Sequence, residues 1–333
     1  MSTGRKAFAV MLFAVVVYAA LTFLSDVRAL RRALVAFHAW TFVAALALAF
    51  GNYLVRFAKW EFYLRKLDIG SHSPGERYRR LPTSESFMIF VSGFALSITP
   101  GKAGEVFRSA LLRTARGTPI ARSAPVVVAD RLTDLLSLVM LVAVGSAAFP
   151  GWSWVAIIAS AMVSVVLFFV VAPRATFRLF AVLRGLRVAA PWVPKLEEAY
   201  ESLRVLTSPG ALVSATLLSV VAWGLECAGL AIVLRGLDAP VGLGLAFFVY
   251  ATATIAGAIA MLPGGLGGTE VTMQQMLVGL GHIGAAPAAA ATLIVRLATL
   301  WFAVALGFVA LAAFRRRFPQ GAGQRAVQAP AVV

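Results

Sequence analysis

Four stretches of this chain, Ala7–Leu24, Trp152–Ala172, Val241–Leu262 and Leu297–Phe314, contain no charged residue. Each is close to the ~20 apolar residues that a helix needs to cross the hydrocarbon layer of a bilayer. A water-soluble core cannot hide that many unbroken apolar runs, so lipid is the solvent for most of the chain. Composition agrees. Of the 333 residues, 60% are hydrophobic and 13% are charged, against about 25% charged in a soluble domain. Arg5 and Lys6, ahead of Ala7–Leu24, resemble the charged start of a secretory signal. The run itself is longer than the ~7–15 apolar residues of such a signal, and a retained first span is expected.

The net charge of +16, from 30 Lys and Arg against 14 Asp and Glu, would point to nucleic acid in a soluble protein. Here the basic residues gather between the apolar runs. Arg56, Lys59, Arg65, Lys66, Arg77, Arg79 and Arg80 form one block, Arg174 to Arg204 a second, and Arg315, Arg316, Arg317 and Arg325 a third. Basic loops stay in the cytoplasm and attract anionic headgroups, so the blocks mark the cytoplasmic side and no nucleic-acid partner is expected. The loops around Pro150–Gly151 and Gly281–Pro287 lack Lys and Arg and go outside. The path is then Ala7–Leu24 outward, Ala33–Val55 back, Leu132–Phe149 outward, Trp152–Ala172 back, Ala211–Leu234 outward and Ala288–Phe314 back. Asp26–Arg32 breaks the rule, for it carries Arg28, Arg31 and Arg32 yet falls outside.

Two segments, Ser86–Arg113 and Val241–Gly284, are interrupted by proline and glycine. Proline removes a backbone donor and clashes with the preceding turn, and glycine permits sharp reversals. Unpaired backbone cannot face lipid, so such breaks survive only inside protein or along a cavity. Both segments are therefore predicted to be re-entrant or broken-helix hairpins. The breaks also align. Pro100-Gly101-Lys102-Ala103-Gly104-Glu105-Val106 matches Pro263-Gly264-Gly265-Leu266-Gly267-Gly268-Thr269-Glu270-Val271, with two extra residues in the second copy. Arg131-Leu132 follows Glu105 at the spacing at which Arg296-Leu297 follows Glu270. Each unit reads span, hairpin, span, and loop charge makes the two hairpins enter from opposite sides. The predicted architecture is an all-α polytopic membrane protein of about six spans plus two hairpins in an inverted repeat. Interrupted segments at matching places of inverted halves point to a transporter's binding site.

In this scheme residues 1–315 form one transmembrane domain. Repeat 1 covers about 33–149 and repeat 2 about 211–314, joined by an amphipathic cytoplasmic linker, 174–209. Residues 316–333 form a disordered basic tail.

Charged side chains at membrane depth are costly, and are paired or functional. The substrate-binding candidates are Lys102, Glu105, Arg108, Arg131, Glu270 and Arg296, with Gly101, Gly104, Gly264, Gly265, Gly267 and Thr269 in the breaks. Arginine forks, a lysine and freed backbone N–H groups suit an anionic headgroup. The glutamates have two readings. They balance the arginines or carry a coupling proton, or they form buried pairs, Glu105 with Arg131 and Glu270 with Arg296, that pin each hairpin to the next span. Asp134 reads best as an interfacial residue, and Glu226 as a partner of Arg235 or a cavity group. Lone Cys227 and the scattered His38, His72 and His282 give no metal site, and no cofactor is expected.

At the two breaks the sequence resembles the lysylphosphatidylglycerol synthase transmembrane-region family. Thr99-Pro-Gly-Lys-Ala-Gly-Glu105 and Leu262-Pro-Gly-Gly-Leu-Gly-Gly-Thr-Glu270 look like its two signature stretches, with Gly268 where a bulkier residue is usual. The resemblance implies a flippase-like domain in a bacterial inner membrane, both termini cytoplasmic, moving an anionic or amphipathic lipid. The chain ends soon after its last span, which implies translocation without lipid synthesis. The expected partners are membrane lipids, and a homo-oligomer is allowed. A carrier of a small soluble anion and a non-transporting factor of an envelope pathway are the rivals. An enzyme is not expected, because HExxH, an aspartate cluster for Mg²⁺ and a nucleophile–base motif are all missing.

Overall fold

The computed structural model describes residues 27–69, 81–99, 103–146, 172–185, 193–260 and 263–319, with isolated positions between 151 and 168. Regular structure among them is helical throughout. The elements are α1 (Val27–Ala36), α2 (Ala39–Lys66), α3 (Thr83–Ser92, running into a 3₁₀ turn, Gly93–Leu96), α4 (Ala103–Arg116), α5 (Ile120–Ser146), α6 (Pro173–Arg184) and α7 (Val193–Leu206). They continue as α8 (Pro209–Gly236), α9 (Leu243–Ile259), α10 (Gly268–Gly279), α11 (Ala285–Arg296) and α12 (Phe302–Arg317), the last two joined by a π turn, Leu297–Trp301. The expected spans Ala7–Leu24 and most of Trp152–Ala172, and the 320–333 part of the tail, lie outside the described residues.

Three of the described helices are long and apolar enough to cross a membrane: α2, α8 and the unit Ala285–Arg317 made by α11, the π turn and α12. The α5 helix is as long, but Asp130, Arg131 and Asp134 sit in its middle. Shorter apolar helices, Thr83–Leu96 and α9, form the first limbs of the hairpins. At the centre α2 runs along α8. Buried small residues on both, Ala45 and Ala49 on α2 and Ala222 and Gly229 on α8, let the backbones approach closely, as small residues do in lipid.

Around this pair the hairpins exchange partners. Limb α3 with its 3₁₀ turn packs on α12, and limb α9 packs on α5. The returning limbs stay local, α4 on α5 and α10 on α11. Glycine makes both crossings possible. A Cβ on Gly307 of α12 would collide with the backbone of Phe94 and Ala95, and one on Gly145 of α5 would lie 2.7 Å from Phe248 Cβ on α9.

Several sequence expectations are corrected here. The basic block from Arg56 to Lys66 is not a loop, because α2 continues through Lys66. Lys59 is buried and Arg56 nearly so, because acidic residues on α5 meet them at that depth. Helix α5 starts at Ile120, well before Leu132. Ala33 belongs to α1, separated from α2 at Phe37–His38, where the His38 N–H donates to Gly236 O at 2.9 Å. Arg316 and Arg317, expected in a loose tail, finish α12. The 174–209 linker holds two helices, and α7 packs against α5 and α2.

The two ends of the bundle differ. At one, Glu85 near the start of α3 pairs with Arg116 at the end of α4 and accepts from Arg317 Nη2 of α12 at 2.8 Å. Arg65 and Lys66 close α2 at this end. At the other end α1 docks on α11, with Leu30 against Ala289 and Ala290.

Candidate functional site

The second break begins with Pro263, and Gly264, Gly265 and Gly267 follow with φ of 62°, 70° and 88°. That left-handed region strains any residue with a Cβ, which is why three glycines stand there. The chain then starts α10, and the Glu270 carboxylate reaches back to accept the Gly267 N–H at 2.7 Å, satisfying one of the helix's open donors. The other carboxylate oxygen accepts Arg296 Nε at 2.6 Å, and Arg296 Nη2 donates to Gly264 O at 2.7 Å. Glu270 is fully buried. One glutamate and one arginine thus hold a broken backbone against the next span. Of the two readings, this geometry matches pinning for Glu270.

The end of the first hairpin's leading limb meets the second break. An added Cβ on Gly264 would lie 3.4 Å from Ile98 Cα, two residues before Pro100. Between them opens a cavity of about 360 Å³. Arg108, Arg131 and Arg296 all line it, as do Gly264, Gly265 and Thr269. Gly267 caps α10 behind this wall, and Gly104 lies in α4. Gly101 and Lys102 lie outside the described residues, as does the side chain of Glu105.

Arg108 has the most telling surroundings. It is 6% exposed, and its Nε donates to Phe90 O at 3.0 Å. Its guanidinium lies 4.1 Å from the Phe90 ring centre and 5.2 Å from that of Phe94. Gly93 makes the room, since a Cβ there would strike the guanidinium. Cation–π contacts offset part of the desolvation cost, but among the described residues Arg108 has no carboxylate partner.

The sequence reading missed several cavity residues. Asn52, Tyr53 and Arg56 face it from α2 and Trp223 from α8, beside Glu226, for which the sequence already offered a cavity role. Glu226 accepts from the Tyr250 hydroxyl at 2.6 Å. The Tyr53 hydroxyl donates to Thr299 O in the π turn at 2.5 Å, tying α2 to the irregular stretch that follows Arg296. Asn52 Nδ2 donates to Ala222 O at 2.7 Å. Beside the cavity, Lys59 Nζ contacts Asp130 Oδ1 at 2.5 Å, Asp134 Oδ1 at 2.7 Å and Ser219 Oγ at 2.6 Å. Arg56 Nη1 donates to Asp134 Oδ2 at 2.9 Å, and the guanidinium carbon of Arg56 lies 4.7 Å from the Trp223 ring centre. Asp134 is therefore buried within an ion cluster rather than interfacial. Helical spacing could have shown it. Asn52, Arg56 and Lys59 repeat at i, i+4, i+7, Ser219, Trp223 and Glu226 do the same, and Asp130 and Asp134 lie one turn apart.

Among the described residues, no group of His, Cys, Asp or Glu could hold a metal ion. What the cavity offers is an arginine-rich, partly aromatic lining beside the second break.

Comparison with curated proteins finds no match to the chain. The family model described as the lysylphosphatidylglycerol synthase TM region matches residues 11–307, a range containing both breaks and every described residue of the cavity. With its helical membrane architecture and two glycine-rich breaks, the chain belongs to the lysylphosphatidylglycerol synthase transmembrane-region family.

Proposed function

We propose that this protein moves a membrane lipid with an anionic headgroup between leaflets, holding the headgroup in the cavity between the two breaks. The observation that carries the reading is Arg108, a buried guanidinium that faces the cavity without a carboxylate partner among the described residues. A buried charge is stable only when compensated, and a phosphate entering the cavity supplies the compensation through charge-assisted hydrogen bonds. Arg131 and Arg296 line the same cavity and extend the basic surface across both halves. The exchange of hairpin limbs, α3 onto α12 and α9 onto α5, supports an inverted repeat of six spans and two hairpins. In that arrangement the cavity can open alternately to either side. The basic ends of α2, α4 and α12 are then cytoplasmic, in a bacterial inner membrane, and no covalent chemistry is involved.

The test is translocation of labelled phosphatidylglycerol in proteoliposomes. The wild-type protein is expected to move label between leaflets, and Arg108→Gln and Arg131→Ala to slow it. If both variants work at the wild-type rate, the headgroup site is elsewhere. If soluble glycerol phosphate is taken up while labelled lipid stays in place, the protein is a solute carrier instead.

A further inference from the structure

The arginines of Asp26–Arg32 violate the loop-charge rule, and the structure suggests why. Residues Val27–Ala36 form the amphipathic helix α1, not an irregular loop. Leu30 is buried against Ala289 and Ala290 of α11, with Ala33 and Leu293 beside them, so one face of the helix is docked on the protein. Arg28, Arg31, Arg32 and Val35 fall at i, i+3, i+4 and i+7, on the face opposite Leu30. All four are exposed, Val35 to 79%. Leu34 and Trp40, 42% and 68% exposed, continue the apolar surface at this end. Basic residues with aliphatic and indole side chains among them describe a helix lying in the membrane interface.

Position strengthens this reading. The His38–Gly236 backbone bond and the Leu30 contact set α1 beside the end of α8 and the start of α11. That is the end opposite Arg65, Lys66, Arg116 and Arg317. Arginines at a non-cytoplasmic end impede orientation during insertion, so their presence calls for a compensating interaction at that surface. Phosphates of anionic lipids provide one.

We infer that α1 is an anchor for anionic lipid headgroups in the leaflet opposite the basic end, with Arg31 and Arg32 on the phosphates and Val35 dipping toward the acyl chains. The inference rests on the chain spanning a membrane, and not on transport.

A nitroxide at Val35→Cys in a Cys227→Ser background tests it, in vesicles of phosphatidylcholine alone or mixed with phosphatidylglycerol. With phosphatidylglycerol present, the label is shielded from a water-soluble nickel chelate and collides more with oxygen. In phosphatidylcholine alone the shielding is lost. Arg31→Gln, and further Arg31→Gln with Arg32→Gln, shift half-maximal shielding to higher phosphatidylglycerol, about fivefold per arginine, the ratio equivalent to ~1 kcal/mol per basic group at an anionic surface. Both arginines are exposed, so folding is not at stake. Shielding that ignores lipid charge, or that survives the double substitution, overturns the anchor. Shielding that follows phosphatidylglycerol in vesicles that fail to move labelled lipid supports the anchor and counts against the transport reading alone.

Discussion

Arg108 and Arg296 are both buried arginines lining one cavity, yet their partners give them different work. Arg296 is committed to Glu270 and to Gly264 O. Breaking a buried pair by removing one partner costs about 3–5 kcal/mol, because the other charge is left behind. Glu270→Gln should therefore lower the thermal midpoint of the purified protein sharply, and Arg296→Gln added to it should recover part of the loss. A midpoint unchanged in Glu270→Gln would show that the pair pins nothing. Arg108 should behave in the opposite way. Its substitution by Gln removes a buried charge that forms no ion pair among the described residues, so stability holds or rises while lipid translocation falls. A hydrogen bond to a charged group is worth about 1.5–3 kcal/mol, which sets the loss at roughly 10- to 100-fold. A substitution that lowers stability and leaves transport intact would assign Arg108 to structure. The Glu270–Arg296 pair was legible in the sequence because the same spacing recurs from Glu105 to Arg131. Arg56, Lys59 and Asp134 are legible only in their helical spacing, since charge counted along the chain cannot distinguish a loop from a helix that meets opposite charges on its neighbour.

At the scale of elements, the hairpins were readable from their proline and glycine punctuation, which is local chemistry. Which span each limb packs on was not, because that choice depends on residues far apart in sequence. Gly307 is the clearest case. Nothing near it in the chain marks it as special, yet the 3₁₀ turn of the first hairpin sits directly on it. A methyl group there meets backbone atoms that cannot step aside, and overpacking of this kind costs about 1–3 kcal/mol. Gly307→Ala should destabilise the protein by that amount, read as a lower midpoint, and a larger side chain by more. Gly224→Ala is the control, since a Cβ there meets nothing within 4 Å. Equal effects at the two positions would mean that the seat of α3 on α12 is looser than the structure shows.

For the whole molecule, the deciding property is that the two ends are chemically unlike while in the middle the first hairpin packs on α12 and the second on α5. The end bearing Arg65, Lys66, Arg116 and Arg317 is tied by Glu85 to three helices. The opposite end is sealed by close apolar contacts such as Gly145 on Phe248. Lysine and arginine retain their side of a membrane protein in the cytoplasm, so the proposed orientation puts this basic end inside. The asymmetry also makes orientation measurable. Arg65 at the end of α2 and Ala285 at the start of α11 are both exposed, on opposite ends, and Cys227 is buried. In a Cys227→Ser background, a membrane-impermeant maleimide added to intact spheroplasts should label Ala285→Cys at once and Arg65→Cys only after lysis. The reverse pattern would turn the molecule over and place α1 and its arginines in the cytoplasm. They would then obey the loop-charge rule, and the basic end sealed by Glu85 would become the exception.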